Sequence, residues 1–142
     1  MEISDFIVRI LVALSCGFVI GFERQFRNKD AGLRTNALVA VGAAIYVLLS
    51  LKLTGPEGDV TRIISQVVTG IGFLGAGVIF KTGLNVHGLT SAASIWCSAA
   101  VACLAAAGYY TEAALCTFIV VFVNSGLIPL DKWLRTRKER NE

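Results

Sequence analysis

Proline is almost missing from this chain, with 2 among 142 residues, and there is one histidine and one methionine. So little proline, with no internal repeat, excludes a collagen-like or low-complexity chain. A single histidine, His87, with no acidic cluster beside it, leaves no histidine-based metal site. Cysteine is also sparse. Cys16, Cys97, Cys103 and Cys116 form no C-x-x-C pair, and four cysteines fall far below the roughly 8–10% that marks a disulfide scaffold. All four lie in apolar stretches and read as buried small hydrophobes. Charge is scarce too: 16% of residues, against about 25% in soluble domains. Hydrophobic residues make up 55%, which excludes disorder. No Walker motif, nucleophile elbow or metal-binding helix motif appears.

What the chain does contain is long uncharged runs. Five windows, 6–22, 37–51, 63–80, 89–107 and 113–130, hold only Arg9 among 13 basic and 10 acidic residues. A membrane span takes about 20 largely apolar residues, with a range of about 17–25. Four windows reach that length alone, and the second does so by borrowing Thr35, Asn36 and Leu53, with Lys52 snorkelling to the headgroups. A soluble bundle would show charged outer faces. The windows have none, so the reading is an all-α polytopic membrane bundle of five transmembrane helices. The first window is a retained span and not a signal peptide, because Glu2 and Asp5 precede it and Phe22-Glu23-Arg24 closes it.

The loops set the orientation. Arg24, Arg27, Lys29, Arg34, Lys81 and the tail residues Lys132, Arg135, Arg137, Lys138 and Arg140 fall on one side, against Lys52 and Arg62 on the other. The positive-inside rule predicts an N-terminus outside and a C-terminus in the cytoplasm. The basic tail and net charge of +3 suit anionic lipid headgroups, not nucleic acid.

Within the spans, Asp5 and Arg9 stand i, i+4 and can pair along the first helix. Gly17-x-x-x-Gly21 is a close-packing signal. Arg62, Gln66, Thr69 and Gly70 share a face of the third span. Ser91, Ser94 and Ser98 form a polar stripe on the fourth, and Asn124 and Ser125 are polar near the inner end of the fifth. Helix packing is the ordinary meaning of such stripes. Gly70-x-Gly72-x-x-Gly75-x-Gly77 has the letters of a dinucleotide loop but sits inside an apolar run, with Ser94-Ile95-Trp96 where an acidic residue is needed. These glycines serve helix packing or face a ligand across a local helix break. Glu57-x-Asp59 lacks the turn motif of a cation loop and reads as solvated.

Topology gathers the most polar and glycine-rich features on the inner side. The candidate functional cluster is Glu23, Arg24, Arg34, Thr35, Asn36, Thr90 and Ser91, with Glu23 expected to pair with Arg24, Arg34 or Lys81. No catalytic, metal or cofactor site is expected.

Gly21-Phe-Glu-Arg-Gln25, Ala31-Gly-Leu-Arg-Thr-Asn36, Val41-Gly-Ala43, Gly70-Ile-Gly-Phe-Leu-Gly-Ala-Gly77 and Gly88-Leu-Thr-Ser-Ala-Ala-Ser-Ile-Trp96 together resemble the MgtC/SapB family of bacterial membrane proteins. The resemblance covers about residues 5 to 128. Asn36 stands where the pattern has His, and Ser91 where it often has Thr; both keep a polar group. The resemblance implies a bacterial inner-membrane protein linked to growth in low magnesium and, in pathogens, to survival inside macrophages. A regulatory role through other membrane proteins is the commoner view of the family. Mg2+ prefers carboxylate oxygens, and the mid-membrane region has none. The alternative is a small ion channel or transporter acting as an oligomer, with a dimer favoured. Only 12 residues follow Leu130, too few to fold alone. The expected organisation is therefore one transmembrane domain over 1–142, without a soluble C-terminal domain.

Overall fold

The computed structural model describes residues 1–54 and 59–139. The helices are α1 (Ile3–Phe26), α2 (Leu33–Thr54), α3 (Thr61–Val78), α4 (Leu89–Ala107), α5 (Tyr110–Gly126) and α6 (Ile128–Glu139). A two-stranded hairpin, β1 (Phe80–Thr82) and β2 (Asn85–His87), joins α3 to α4. Among the described residues five helices are long and apolar enough to cross a membrane, the fifth running from Tyr110 to Leu130. The fold is an all-α polytopic bundle. Large apolar side chains face outward all round it: Phe73 is 82% exposed and Phe26 80%. Water would not tolerate so much exposed apolar surface, but lipid tails suit it.

The helix built from the smallest side chains is the hub. The α4 sequence is rich in Ala, Ser and Cys, and α4 packs against α1, α2, α3 and α5. Small side chains let four neighbours approach one axis, which is how helices associate where water supplies no driving force. Close packing elsewhere falls on the first helix. A Cβ added at Gly17 would lie 2.5 Å from Ala40 Cβ and 2.7 Å from the Asn36 carbonyl, and one at Gly21 would lie 2.7 Å from Leu33 Cα. The Gly17-x-x-x-Gly21 motif therefore sets the α1–α2 contact.

Arg9, the one charge inside an apolar window, has two partners. Its Nε donates to Asp5 Oδ1 at 3.0 Å, and its NH1 donates to the Ala106 carbonyl at 2.7 Å. A guanidinium at a helix C-terminus satisfies an orphan carbonyl and meets the negative end of the dipole. Gly108, at φ 91°, turns the chain there; a Cβ on it would press on the Arg9 guanidinium at 3.4 Å.

Several boundaries differ from the sequence expectation, mostly by helices that run a few residues longer. The third span ends at Val78 instead of 80, because Ile79 is extended and the chain enters the hairpin. Gly83, at φ 60°, takes the first position of its two-residue turn, a role suited to glycine. The second span does take in Thr35 and Asn36, and it reaches further, to Leu33 and Arg34 at one end and Thr54 at the other. The tail is helical as far as Glu139, with Arg137 stacked 5.1 Å over the Trp133 ring. Glu57 lies outside the described residues. Asp59 accepts from the Thr61 hydroxyl and the Thr61 N–H, which holds its carboxyl below the ordinary range.

Gly17→Ala and Gly21→Ala are expected to destabilise the protein by about 1–3 kcal/mol each through overpacking. Nothing lies within 4 Å of a Cβ at Gly70 or Gly72. Gly70→Ala and Gly72→Ala should therefore be neutral or stabilising, by up to about 1 kcal/mol of helix propensity. Unfolding in detergent separates the two pairs.

Candidate functional site

Four helix ends on one side of the bundle, the last turns of α1 and α5 and the first turns of α2 and α4, meet in a polar layer. Arg24, from the last turn of α1, is 2% exposed, and its NH2 donates to Ser91 Oγ at 2.6 Å. Its Nε is buried without a partner. Glu23, 9% exposed, accepts from Arg27 Nε at 2.8 Å and from Ser125 Oγ at 2.9 Å, both on Oε1. Its other oxygen is buried and unpartnered. Asn36 is fully buried. Its amide nitrogen donates to the carbonyls of Ala31 and Gly32, and its oxygen accepts from Ser98 Oγ at 2.8 Å. Asn124 Nδ2 donates to Ser94 Oγ at 3.1 Å, and that hydroxyl donates to the Thr90 carbonyl at 2.9 Å.

Each contact follows from helix register. Ser91, Ser94 and Ser98 stand one turn apart along one stripe of α4, so each reaches a different neighbour: Arg24 on α1, Asn124 on α5 and Asn36 on α2. Buried polar groups need partners, and between apolar helices the partners must come from other helices. Asn36 also pins the α1–α2 turn, where Asn28 and Ala31 both adopt positive φ. That conformation is uncommon for a side chain-bearing residue, and the Asn36 bond to the Ala31 carbonyl helps to hold it.

Of the seven cluster residues expected from sequence, Glu23, Arg24, Asn36 and Ser91 enter this layer. Arg34, Thr35 and Thr90 are exposed on its rim. Glu23 pairs with Arg27 and not with Arg24, Arg34 or Lys81. The i, i+4 spacing on α1 puts the Arg27 guanidinium within reach at low entropic cost. Sequence reasoning left Arg27, Ser94, Ser98, Asn124 and Ser125 outside the cluster. The serine spacing on the fourth span was the signal for Ser94, Ser98 and Asn124, whereas Arg27 and Ser125 join through Glu23. Of the four glycines in the α3 run, Gly75 packs on α4, where an added Cβ would lie 3.6 Å from Ala92 Cβ, while Gly70, Gly72 and Gly77 face open space. Among the described residues no group of three or more metal-ligating side chains is gathered.

The MgtC family profile matches residues 10–133. The chain belongs to the MgtC family. It is 55% identical over 118 residues to Protein MgtC of Brucella abortus, covering 83% of this chain and 49% of that protein. It is 49% identical over 124 residues to Protein MgtC of Salmonella typhimurium, covering 87% and 53%. An uncharacterized Synechocystis protein is 48% identical over 134 residues, covering 94% and 57%. The chain thus spans about half the length of the curated relatives it matches. No solved structure matches it. As an MgtC-type protein with five apolar helices, it is a multi-pass membrane protein.

The two arginines of the cluster should respond differently to lysine. Arg34 is exposed, so Arg34→Lys is expected to be harmless. Arg24 is buried with one guanidinium nitrogen on Ser91, and a Lys ammonium, a compact and more strongly hydrated charge, is more costly to bury there. Arg24→Lys should cost about 1–3 kcal/mol in detergent stability, the scale of a lost charged hydrogen bond. Equal stability of both variants would make Arg24 a plain anchor.

Proposed function

We propose that this chain is a non-enzymatic protein of the bacterial inner membrane that supports growth in low magnesium by regulating other membrane proteins. In pathogens the same role extends to survival inside host cells. One observation carries the reading: α3 is a span with an unfilled face. It packs mainly on α4 and only loosely on α2, and it is the least apolar of the five spans. Arg62, Gln66, Gly70, Phe73 and Gly77 run along one side, and all are exposed. The Gln66 amide has no partner among the described residues, although a polar side chain in a span needs one. A groove of about 550 Å3 between α2 and α3 is lined by Gly42, Tyr46, Gln66 and Gly70 among others. A groove with an amide and two bare glycine walls suits a helix of another membrane protein, because small residues allow close backbone approach and the amide gives an interhelical hydrogen bond.

The partner is lipid-embedded, and a second copy of this chain, forming a dimer, is one candidate for that face. The N-terminus lies outside and the C-terminus in the cytoplasm, which brings the Arg24 layer to the cytoplasmic side. Reporter fusions at the two ends of the chain should report opposite sides of the membrane; both ends in the cytoplasm would remove the five-span arrangement.

The functional test is growth complementation in low magnesium, with expression and insertion checked in parallel. Gln66→Leu combined with Gly70→Leu should leave detergent stability near wild type and abolish most of the complementing growth. Full growth by that variant would move partner contact away from α3. Selective ion flux by purified protein in liposomes would instead support the channel or transporter reading.

A further inference from the structure

The two ends of α4 are treated in opposite ways by α1. At the C-terminus, Arg9 meets the Ala106 carbonyl, where a cation is favoured. At the N-terminus stands another arginine, where a cation is disfavoured. Arg24 sits on Ser91, the third residue of α4, and carries a buried Nε with no acceptor. The α4 N-terminus has no side-chain cap and no acidic residue in its first turn. Counting from Leu89, the first backbone N–H with a carbonyl acceptor is that of Ala92, on Gly88 at 2.8 Å. The N–H groups of Leu89, Thr90 and Ser91 are therefore free donors. Leu89 and Thr90 are exposed, so the turn opens outward from the bundle.

Among the described residues the Arg24 guanidinium makes no ion pair, although the carboxylates of Glu23 and Asp30 lie near enough to attract it. The ion pairs among the described residues are Asp5–Arg9 and Glu23–Arg27. Glu23 and Asp30 act on Arg24 through space, and Arg27 repels it. A buried guanidinium without a contacting anion is a costly arrangement. We propose that the uncapped N-terminus of α4 and the Arg24 guanidinium together bind a phosphate group, presented either by an anionic lipid headgroup or by free inorganic phosphate.

The donor set matches that ligand. Helix N-termini bind phosphate through convergent N–H groups and the dipole. A guanidinium adds a planar fork of charge-assisted bonds, and a tetrahedral phosphate has enough acceptor oxygens to take both at once. The Thr90 and Ser91 hydroxyls lie in the same turn. The site also stands at the ends of two spans, α1 and α4, where a headgroup can reach it. This site is separate from the α3 face, so it stands or falls independently of the regulatory reading.

The test is thermal unfolding of the 142-residue chain in phosphate-free maltoside detergent. Inorganic phosphate is titrated at constant ionic strength against chloride, and phosphatidylglycerol is titrated in mixed micelles against phosphatidylcholine. A ligand of the folded state stabilises it by RT ln(1 + L/Kd), with L the free ligand concentration, so the unfolding temperature climbs with the logarithm of ligand concentration above Kd. The wild type should show a rise with the logarithm of concentration for at least one of the two probes. Arg24→Gln should lose that rise while unfolding, without ligand, at or above the wild-type temperature. Arg24→Lys and Ser91→Ala should weaken the apparent affinity by about tenfold or more, as expected for losing a charge-assisted hydrogen bond. A rise with phosphatidylglycerol alone names the lipid headgroup as the source. A rise with inorganic phosphate alone names the free ion. No rise with either probe overturns the proposal. So does a rise of equal size in wild type, Arg24→Gln and Ser91→Ala. Should Arg24→Gln fail to insert, Ser91→Ala, which keeps the charge, decides the matter by the same shift in affinity.

Discussion

Everything in this bundle depends on polar groups finding partners inside the protein, because the surrounding hydrocarbon offers none. The central helix meets that requirement. Its serines face three different neighbours at successive turns, so each interhelical hydrogen bond also fixes the rotation of a neighbouring helix. Its alanines let the neighbours come close enough for those bonds to form. Replacing the small residues with larger ones would lengthen the interaxial distances and break the hydroxyl contacts together.

The same constraint separates the two sides of the molecule. Helices α1, α2, α4 and α5 share buried polar contacts and form one unit. Helix α3 has no interhelical hydrogen bond among the described residues. Its Thr69 hydroxyl turns back to its own Ser65 carbonyl at 3.0 Å, and Gln66 remains open. The consolidated side contains a charge-bearing polar layer at one end, whereas the open side leaves an amide and bare backbone exposed.

Much of the fold was legible in the sequence because lipid imposes a simple rule. Charge segregation located all five spans, and the fourth was placed at Leu89–Ala107 as found. Gly17 and Gly21 were legible as a close-packing pair, since a four-residue spacing keeps both on one face. The Asp5–Arg9 pair was legible for the same reason. The glycine run of the third span was not, because glycine letters do not say which way a helix face points: Gly75 meets α4, while Gly70, Gly72 and Gly77 meet nothing. The partner of Glu23 was misread because loop charges were counted by side of the membrane and not by turn of the helix, which places Arg27 closest.

By itself the sequence determined the solvent, the number of spans and which residues are polar enough to matter, since each of these depends on composition within a window of about 20 residues. Only the tertiary structure decided that Ser91 would meet Arg24 across 67 positions and Ser98 would meet Asn36 across 62. Those pairings depend on the rotation of each helix about its own axis, which small-residue packing among several helices sets at once. The tertiary structure likewise decided that Arg9 and Arg24 of the first helix would stand at opposite ends of the fourth, one with its carbonyl and its carboxylate, the other with a hydroxyl and no anion.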